Sequence, residues 1–263
     1  MKQRYDVILF DADRTLFDFD QSQRLALGEV YRANGIPETE ENIQTYVRLN
    51  DRLWARFDKG EISLEELEYI RFRDFAEALG LRNLDANRLN QQYIEALGRN
   101  SILLPGAEEL CAALAPYCQQ YIVTNGIKEA QEGRLERSPI RQHIKKMYIS
   151  GVMGVRKPER AYFELVYDDL GMTPERWRRT VIVGDSLSSD ILGGVNGNLD
   201  TIWYNPKHKP NGTDIRPTWE ADSFDAVKAV ILGGGGLTGQ FQNKCRKIEK
   251  IPLSIGRKCS IIS

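Results

Sequence analysis

The sequence predicts an α/β protein: a parallel sheet covered by helices on both faces, with a helical cap inserted after the first strand. Three observations carry this. Short apolar runs that end in polar or acidic residues (YDVILF at 5–10, QYIVTN at 120–125, TVIVGD at 180–185, LDTIWYN at 199–205) read as buried strands. Helical segments lie between them, the alternation expected of a parallel sheet. From about Asp20 to Asn100 the pattern is helical.

In chain order, the first strand ends at Phe10 and meets two acids. In the insertion, Leu49, Leu53, Trp54 and Phe57 recur at helical spacing, as do Leu67 and Ile70 and, further on, Phe75 and Leu79. Ser63-Leu64-Glu65-Glu66 has the form of a capping box. Such an aromatic stripe reads as helix-bundle core rather than pocket wall. After Pro105-Gly106 come a helix over 107–114, the second strand, a polar helix over 128–137, a short strand near 147–150 and a helix starting at Pro158. Thr173-Pro174-Glu175 reads as an N-cap with proline at the first helical position. The expected organisation is a core of residues 1–19 and 101–232, a helical cap of residues 20–100, and a glycine-rich linker and basic tail over 233–263.

Composition narrows the class. The chain has 263 residues, 41% of them apolar, enough for a substantial core. A net charge of −1 gives no basic footprint for a nucleic acid polymer or a membrane. The N-terminal apolar run is too short for a signal peptide or a span. Four cysteines (Cys111, Cys118, Cys245, Cys259) lack metal-site spacing, so the expectation is a reduced, cytoplasmic protein. The tail from Leu237 carries six Lys/Arg and one Glu behind four glycines, a composition that reads as linker and disorder. Cys259 stands one residue too far from the end for a prenylation box.

Chemistry concentrates at four strand ends, where ligand sites of parallel sheets form. The first carries Asp11-Ala12-Asp13-Arg14-Thr15. Residues i and i+2 of a strand point the same way, and two hard oxygen ligands suit magnesium. The second carries Thr124-Asn125-Gly126, a hydroxyl and turn amides able to hold phosphate oxygens. Lys157 precedes the helix expected at Pro158; a cation there makes sense if an anion lies between lysine and helix. The fourth carries Gly184-Asp185-Ser186, with Asp190 five residues beyond Asp185. Each has an ordinary explanation alone, as a turn, a cap or a surface lysine. Their agreement in order and context is what carries weight.

These motifs (DADRT, the Thr124 strand end, Lys157 and GDSLSSD) resemble those of the haloacid dehalogenase (HAD) superfamily of hydrolases over about residues 4–232. The resemblance implies a Rossmann-like core, with Asp11 as nucleophile and Asp13 as general acid/base. Thr124 and Lys157 would bind the phosphoryl group, with Asn125 beside them. It also implies Mg2+ held by Asp11, the backbone carbonyl of Asp13, and Asp185, with Asp190 in support. The segments LFDADRTLFDFD, YIVTNGIKEAQEGRLERS, ISGVMGVRKPERAYFE and VGDSLSSDILGG look like those of pyrimidine 5′-nucleotidases. The implied partner is a small phosphorylated metabolite met by a monomer or homodimer.

Arg14 departs from the family pattern, which has a small or acidic residue there. It can pair with phosphate, with Asp13, or face solvent. Three other readings stay open: a sugar-phosphate or phosphoglycolate-type phosphatase or mutase, a haloacid dehalogenase, and a catalytically silent binding protein. Asp13 argues against the dehalogenase, which needs no acid at that position.

Overall fold

The structure, a computed structural model, describes residues 3–233. Strand β1 (Val7–Phe10) is buried at every position and pairs in parallel with β2 (Gln119–Thr124) on one side and β4 (Thr180–Gly184) on the other. Beyond them β3 (Ile144–Ile149), β5 (Asp200–Tyr204) and β6 (Trp219–Ala221) complete a six-stranded, all-parallel sheet of order β3-β2-β1-β4-β5-β6. The chain builds outward from β1 to β3, then returns to β4 on the opposite side. The carboxyl ends of β1 and β4 therefore flank the topological switch point, where a crevice opens.

The strands are apolar throughout because both faces are covered. Ile8, Phe10, Ile122, Val181, Val183 and Ile202 point to one face, and Val7, Leu9, Tyr121, Val123 and Ile182 to the other, the period of two that a strand imposes. Of the helices between β1 and β2, the first four form the insertion: α1 (Phe19–Ala33), α2 (Glu40–Asp58), α3 (Leu64–Ala78) and α4 (Ala86–Arg99). Then follow α5 (Ala107–Leu114), α6 (Lys128–Glu136), α7 (Ser150–Met153), α8 (Arg160–Asp169), α9 (Pro174–Trp177), α10 (Leu192–Asn196) and α11 (Phe224–Leu232). Helices α5 and α11 cover the first sheet face, whereas α8 and α9 supply Tyr162, Phe163, Val166 and Trp177 to the second.

The inserted helices start where side-chain caps allow. Asp18, Thr39, Ser63 and Asp85 each accept a backbone N–H of the following first turn, and Ser63 with Glu66 forms the full capping box. Their apolar faces meet in a separate cluster, with Tyr31 stacked on Phe75 at 5.3 Å and Tyr46 against Phe72 and Tyr93. Helix α2 has two working faces. Ile43, Tyr46, Asn50, Leu53 and Phe57 are buried, whereas Asp51, Trp54 and Asp58 line the crevice. The aromatic stripe is thus core at Phe57 and Phe75, as expected, whereas Trp54 packs against the core on one side and lines the crevice on the other.

Three other expectations change. The strand near 147–150 spans Ile144–Ile149. The helix expected from Pro158 begins at Arg160: Arg156–Glu159 closes a turn through a cis Lys157–Pro158 bond, and Glu159 N–H donates to the Arg156 carbonyl. Strand β6 and helix α11 add to the expected elements; the strand's three residues are too few to show a period. Past Gly233, the linker and tail expected for 233–263 lie outside the described residues. Among those described, no helix is long and apolar enough to cross a membrane. Cys111 and Cys118 are free and buried.

Candidate active site

Strand β1 delivers Asp11 into the crevice, where its backbone N–H still donates to Val183 of β4. One carboxylate oxygen accepts from Lys157 Nζ at 2.7 Å and the other from Thr15 Oγ1 at 3.2 Å. The lysine is 1% exposed and also donates to Asp190 Oδ1 (2.7 Å) and the Val123 carbonyl (2.8 Å), so all three ammonium protons are placed. Burial alone would favour a neutral amine. Asp11 and Asp190 outweigh it and hold Lys157 charged, above the ordinary lysine value. Carboxylates, rather than an anion at a helix N-terminus, answer this lysine.

Asp190 is fully buried in a single π-helical turn, Leu187–Ile191. Its second oxygen accepts Ser186 N–H at 3.0 Å. The carboxylate lies so close to β4 that a Cβ at Gly184 would come within 2.3 Å of it, so only glycine fits the strand end. Asp185 stands beside it, its carbonyl accepting Trp203 Nε1–H at 2.9 Å.

Oxygens of Asp11, Asp185 and Asp190 lie within 4.8 Å of one another. Three carboxylates therefore share a buried space with one ammonium. Asp11 is pushed well above the usual carboxylate range by burial and then by Asp190, with Lys157 pulling the other way. Asp185 is pushed up to about 7, first by burial and then by Asp190. An all-oxygen donor set carrying surplus negative charge is what a hard divalent cation requires, so these residues fit magnesium.

Asp13 faces elsewhere. Its Oδ2 accepts from Gln131 Nε2 at 2.7 Å, and its Oδ1 lies 2.6 Å from Arg134 Nη1, a charge contact without hydrogen-bond alignment. Gln131 and Arg134 are each 1% exposed and come from successive turns of α6. Reading the sequence missed both. The signal available was a glutamine and an arginine three apart, between the apolar Ala130 and Leu135, on the face of α6 that the fold buries.

Thr124 is buried at the end of β2, its hydroxyl accepting Gly126 N–H at 3.0 Å. Asn125, expected beside the phosphate, lines the crevice and grips Lys157: its Nδ2 donates to the Lys157 carbonyl and its Oδ1 accepts Lys157 N–H, both at 2.9 Å. Of the expected options, Arg14 does not pair with Asp13, and its side chain stays 38% exposed at the crevice. At φ +61°, a backbone costing about 1 kcal/mol for a non-glycine residue, it turns toward the cap. There it donates to Asp20 at 2.7 Å and lies 3.6 Å from Asp51, leaving Asp13 to Arg134.

The crevice has a volume of about 320 Å³ and is bounded above by Phe19 and the Asp51, Trp54 and Asp58 side chains of the inserted helices. The sequence offered no means of choosing these. His143 and His208 are not among the residues lining it.

Comparison with known proteins agrees with this geometry. The family model for haloacid dehalogenase-like hydrolases matches residues 5–198. The chain is 35% identical to the pyrimidine 5′-nucleotidase YjjG of Escherichia coli, over 87% of this chain and 98% of that one. It is 34% identical to the pyrimidine 5′-nucleotidase PynA of Streptococcus pneumoniae, over 84% and 92%. The crystal structure of the HAD-hydrolase YfnB of Bacillus subtilis, bound to magnesium, superimposes with a TM-score of 0.81 at 33% identity, covering 87% of this chain and 99% of that one.

Proposed function

The chain belongs to the haloacid dehalogenase-like hydrolase family, and on that premise we propose that it is a magnesium-dependent phosphomonoester hydrolase acting on pyrimidine nucleoside 5′-monophosphates. The observation that carries this reading is the division of labour between the two first-strand acids. Asp11 lies against Lys157 among carboxylates suited to a metal, whereas Asp13, two residues on, is held apart by Gln131 and Arg134.

Hydrolysis of phosphate monoesters is so slow without a catalyst that no single group suffices. The reaction divides into two displacements. In the first, an Asp11 oxygen bonds to phosphorus as the ester P–O bond breaks, and Asp13 gives its proton to the leaving oxygen. In the second, Asp13 takes a proton from water, the water oxygen bonds to phosphorus, and the Asp11–phosphorus bond breaks to release inorganic phosphate. Lys157 offsets charge on the phosphoryl oxygens, Thr124 donates its hydroxyl to them, and Asn125 sets the lysine's height by gripping its backbone. Asp11, Asp185 and the Asp13 carbonyl would hold magnesium, backed by Asp190, and the bound cation would supply further neutralisation of the phosphoryl charge. The helices above the crevice restrict water and favour small substrates over proteins.

The pyrimidine assignment rests on the two nucleotidase relatives. A dehalogenase is disfavoured by Asp13 and the two residues that hold it, a device a dehalogenase does not need. Phosphate release from uridine, cytidine and thymidine 5′-monophosphates and from sugar phosphates, with and without magnesium, tests the reading. Pyrimidine monophosphates should be preferred, release should need the metal, and Asp11→Asn should abolish it. Near-normal turnover in Asp11→Asn would sink the nucleophile assignment.

A further inference from the structure

The crevice has a floor of catalytic groups and a roof whose chemistry nothing so far has used. The roof is one face of α2. Asp51, Trp54 and Asp58 follow at three- and four-residue spacing, so they form a single line above the strand ends. The line is tied to the core at both ends. Arg14 lies 3.6 Å from Asp51, and Asn125 Nδ2 reaches Asp58 Oδ1 at 3.5 Å. Between the ties Trp54 is half-buried, its indole set edge-on by Phe57 at 5.5 Å and 85°. The two carboxylates are not equivalent. Arg14 stands by Asp51, whereas among the described residues Asp58 forms no ion pair within 4 Å; it accepts from the Asn125 amide and feels Lys157 and Arg156 only from farther away.

A phosphoryl group seated on Asp11 and Lys157 leaves the rest of its ester under this line. That part meets an aromatic wall and a carboxylate that no described cation approaches within 4 Å. An indole favours a planar ring, which stacks on it. A carboxylate accepts hydrogen bonds from hydroxyls and repels a second anion where water is partly excluded. A space of about 320 Å³ is at the small-ligand end of binding sites.

We propose that the Asp51–Trp54–Asp58 face of α2 is the specificity surface of this enzyme. Trp54 selects a leaving group that bears a planar, stackable ring, and Asp58 rejects esters whose leaving group carries its own negative charge. The substrate class is then monophosphates of neutral, hydroxyl-bearing alcohols with a planar ring, as nucleosides are, against phosphorylated acids. The proposal rests on the phosphohydrolase reading above and deepens it.

Three probes separate the contributions: uridine 5′-monophosphate (neutral leaving group with a planar ring), ribose 5-phosphate (neutral, no base) and phosphoglycolate (anionic). With magnesium, wild type should order kcat/KM as uridine monophosphate, ribose phosphate, phosphoglycolate. Trp54→Ala should narrow the first gap by about tenfold or more, the size of a lost stacking contact. Asp58→Asn keeps size and the hydrogen bond to Asn125, so it serves should the tryptophan variant fold poorly. It should narrow the second gap by about tenfold. Gaps unchanged within about twofold in the folded variants would overturn the proposal while leaving the hydrolase reading intact. No phosphate release by wild type from any probe or from an aryl phosphate would overturn both.

Discussion

Asp13 draws its orientation from α6. Gln131 donates to one of its oxygens and the buried Arg134 faces the other. An acid that must first give and then take a proton gains from a fixed direction, because proton transfer needs hydrogen-bond geometry with the reacting oxygen. Gln131→Ala should therefore lower kcat by about tenfold or more with KM changed by less than about twofold. Steady-state kinetics on uridine 5′-monophosphate would show the split; a pure KM effect would argue that Gln131 binds substrate instead. Arg134→Met should also destabilise the fold by about 3 kcal/mol, since it leaves the Asp13 carboxylate without its charge partner; a urea melt measures this. Neither residue was legible in the sequence. Gln131 and Arg134 acquire meaning only from facing Asp13, which is 118 residues away from Gln131.

At the scale of elements, the cap meets the core where α4 crosses α6. A Cβ at Gly133 would come within 2.9 Å of the Gly98 carbonyl and 3.0 Å of its Cα, so two backbones touch there without side chains between them. Because those neighbours are backbone atoms, they cannot turn aside. Gly133→Val should push the helices apart, cost about 1–3 kcal/mol, and move Gln131 and Arg134 on the same helix. Activity should fall with stability, and Gly133→Ala should do the same less severely, by thermal melt and phosphate release. Periodicity revealed that these helices exist, and Ser63 and Glu66 revealed where one begins. It did not reveal which face of α2 looks at the site. Trp54 and Phe57 both fit an apolar stripe, and only the placement of α2 over the sheet edge separates them.

For the whole molecule, the cluster of Asp11, Asp185 and Asp190 places surplus negative charge at the switch point of the sheet. Asp185 in the folded protein is pushed up from 3.8 to about 7. An acid whose pKa rises on folding opposes folding once it ionises. The penalty is full above about pH 7, shrinks as pH falls toward the unfolded value near 4, and is gone below it. Carboxylates held low by surface partners, such as Asp6 beside Arg179, give up their stabilisation only below that range. The metal-free protein should therefore melt at a higher temperature near pH 6 than near pH 8. Magnesium should raise the midpoint, more so at the higher pH, because it binds the folded cluster and competes with the proton. Calorimetry at both pH values, with and without magnesium, checks this; an equal metal effect at both would mean that Asp185 is not a ligand.

The sequence by itself determined the α/β class, the parallel sheet and the family, because these follow from local patterns: apolar runs of strand length, helical spacing between them, and short polar motifs at the strand ends. It also named the residues that the fold gathers at one edge, Asp11, Thr124, Lys157, Asp185 and Asp190: the motifs of Asp11, Thr124 and Asp185 adjoin their strands, and Lys157 follows β3 after the short helix α7. Only the tertiary structure decided what those residues touch. Lys157 lies within a turn rather than at a helix N-terminus, because Asn125 holds its backbone and two carboxylates hold its ammonium. Arg14 serves the cap, and Arg134 serves Asp13. A charged side chain takes its partner from whatever the packing of distant elements brings within reach, and that distance in space is not written in the spacing of the chain.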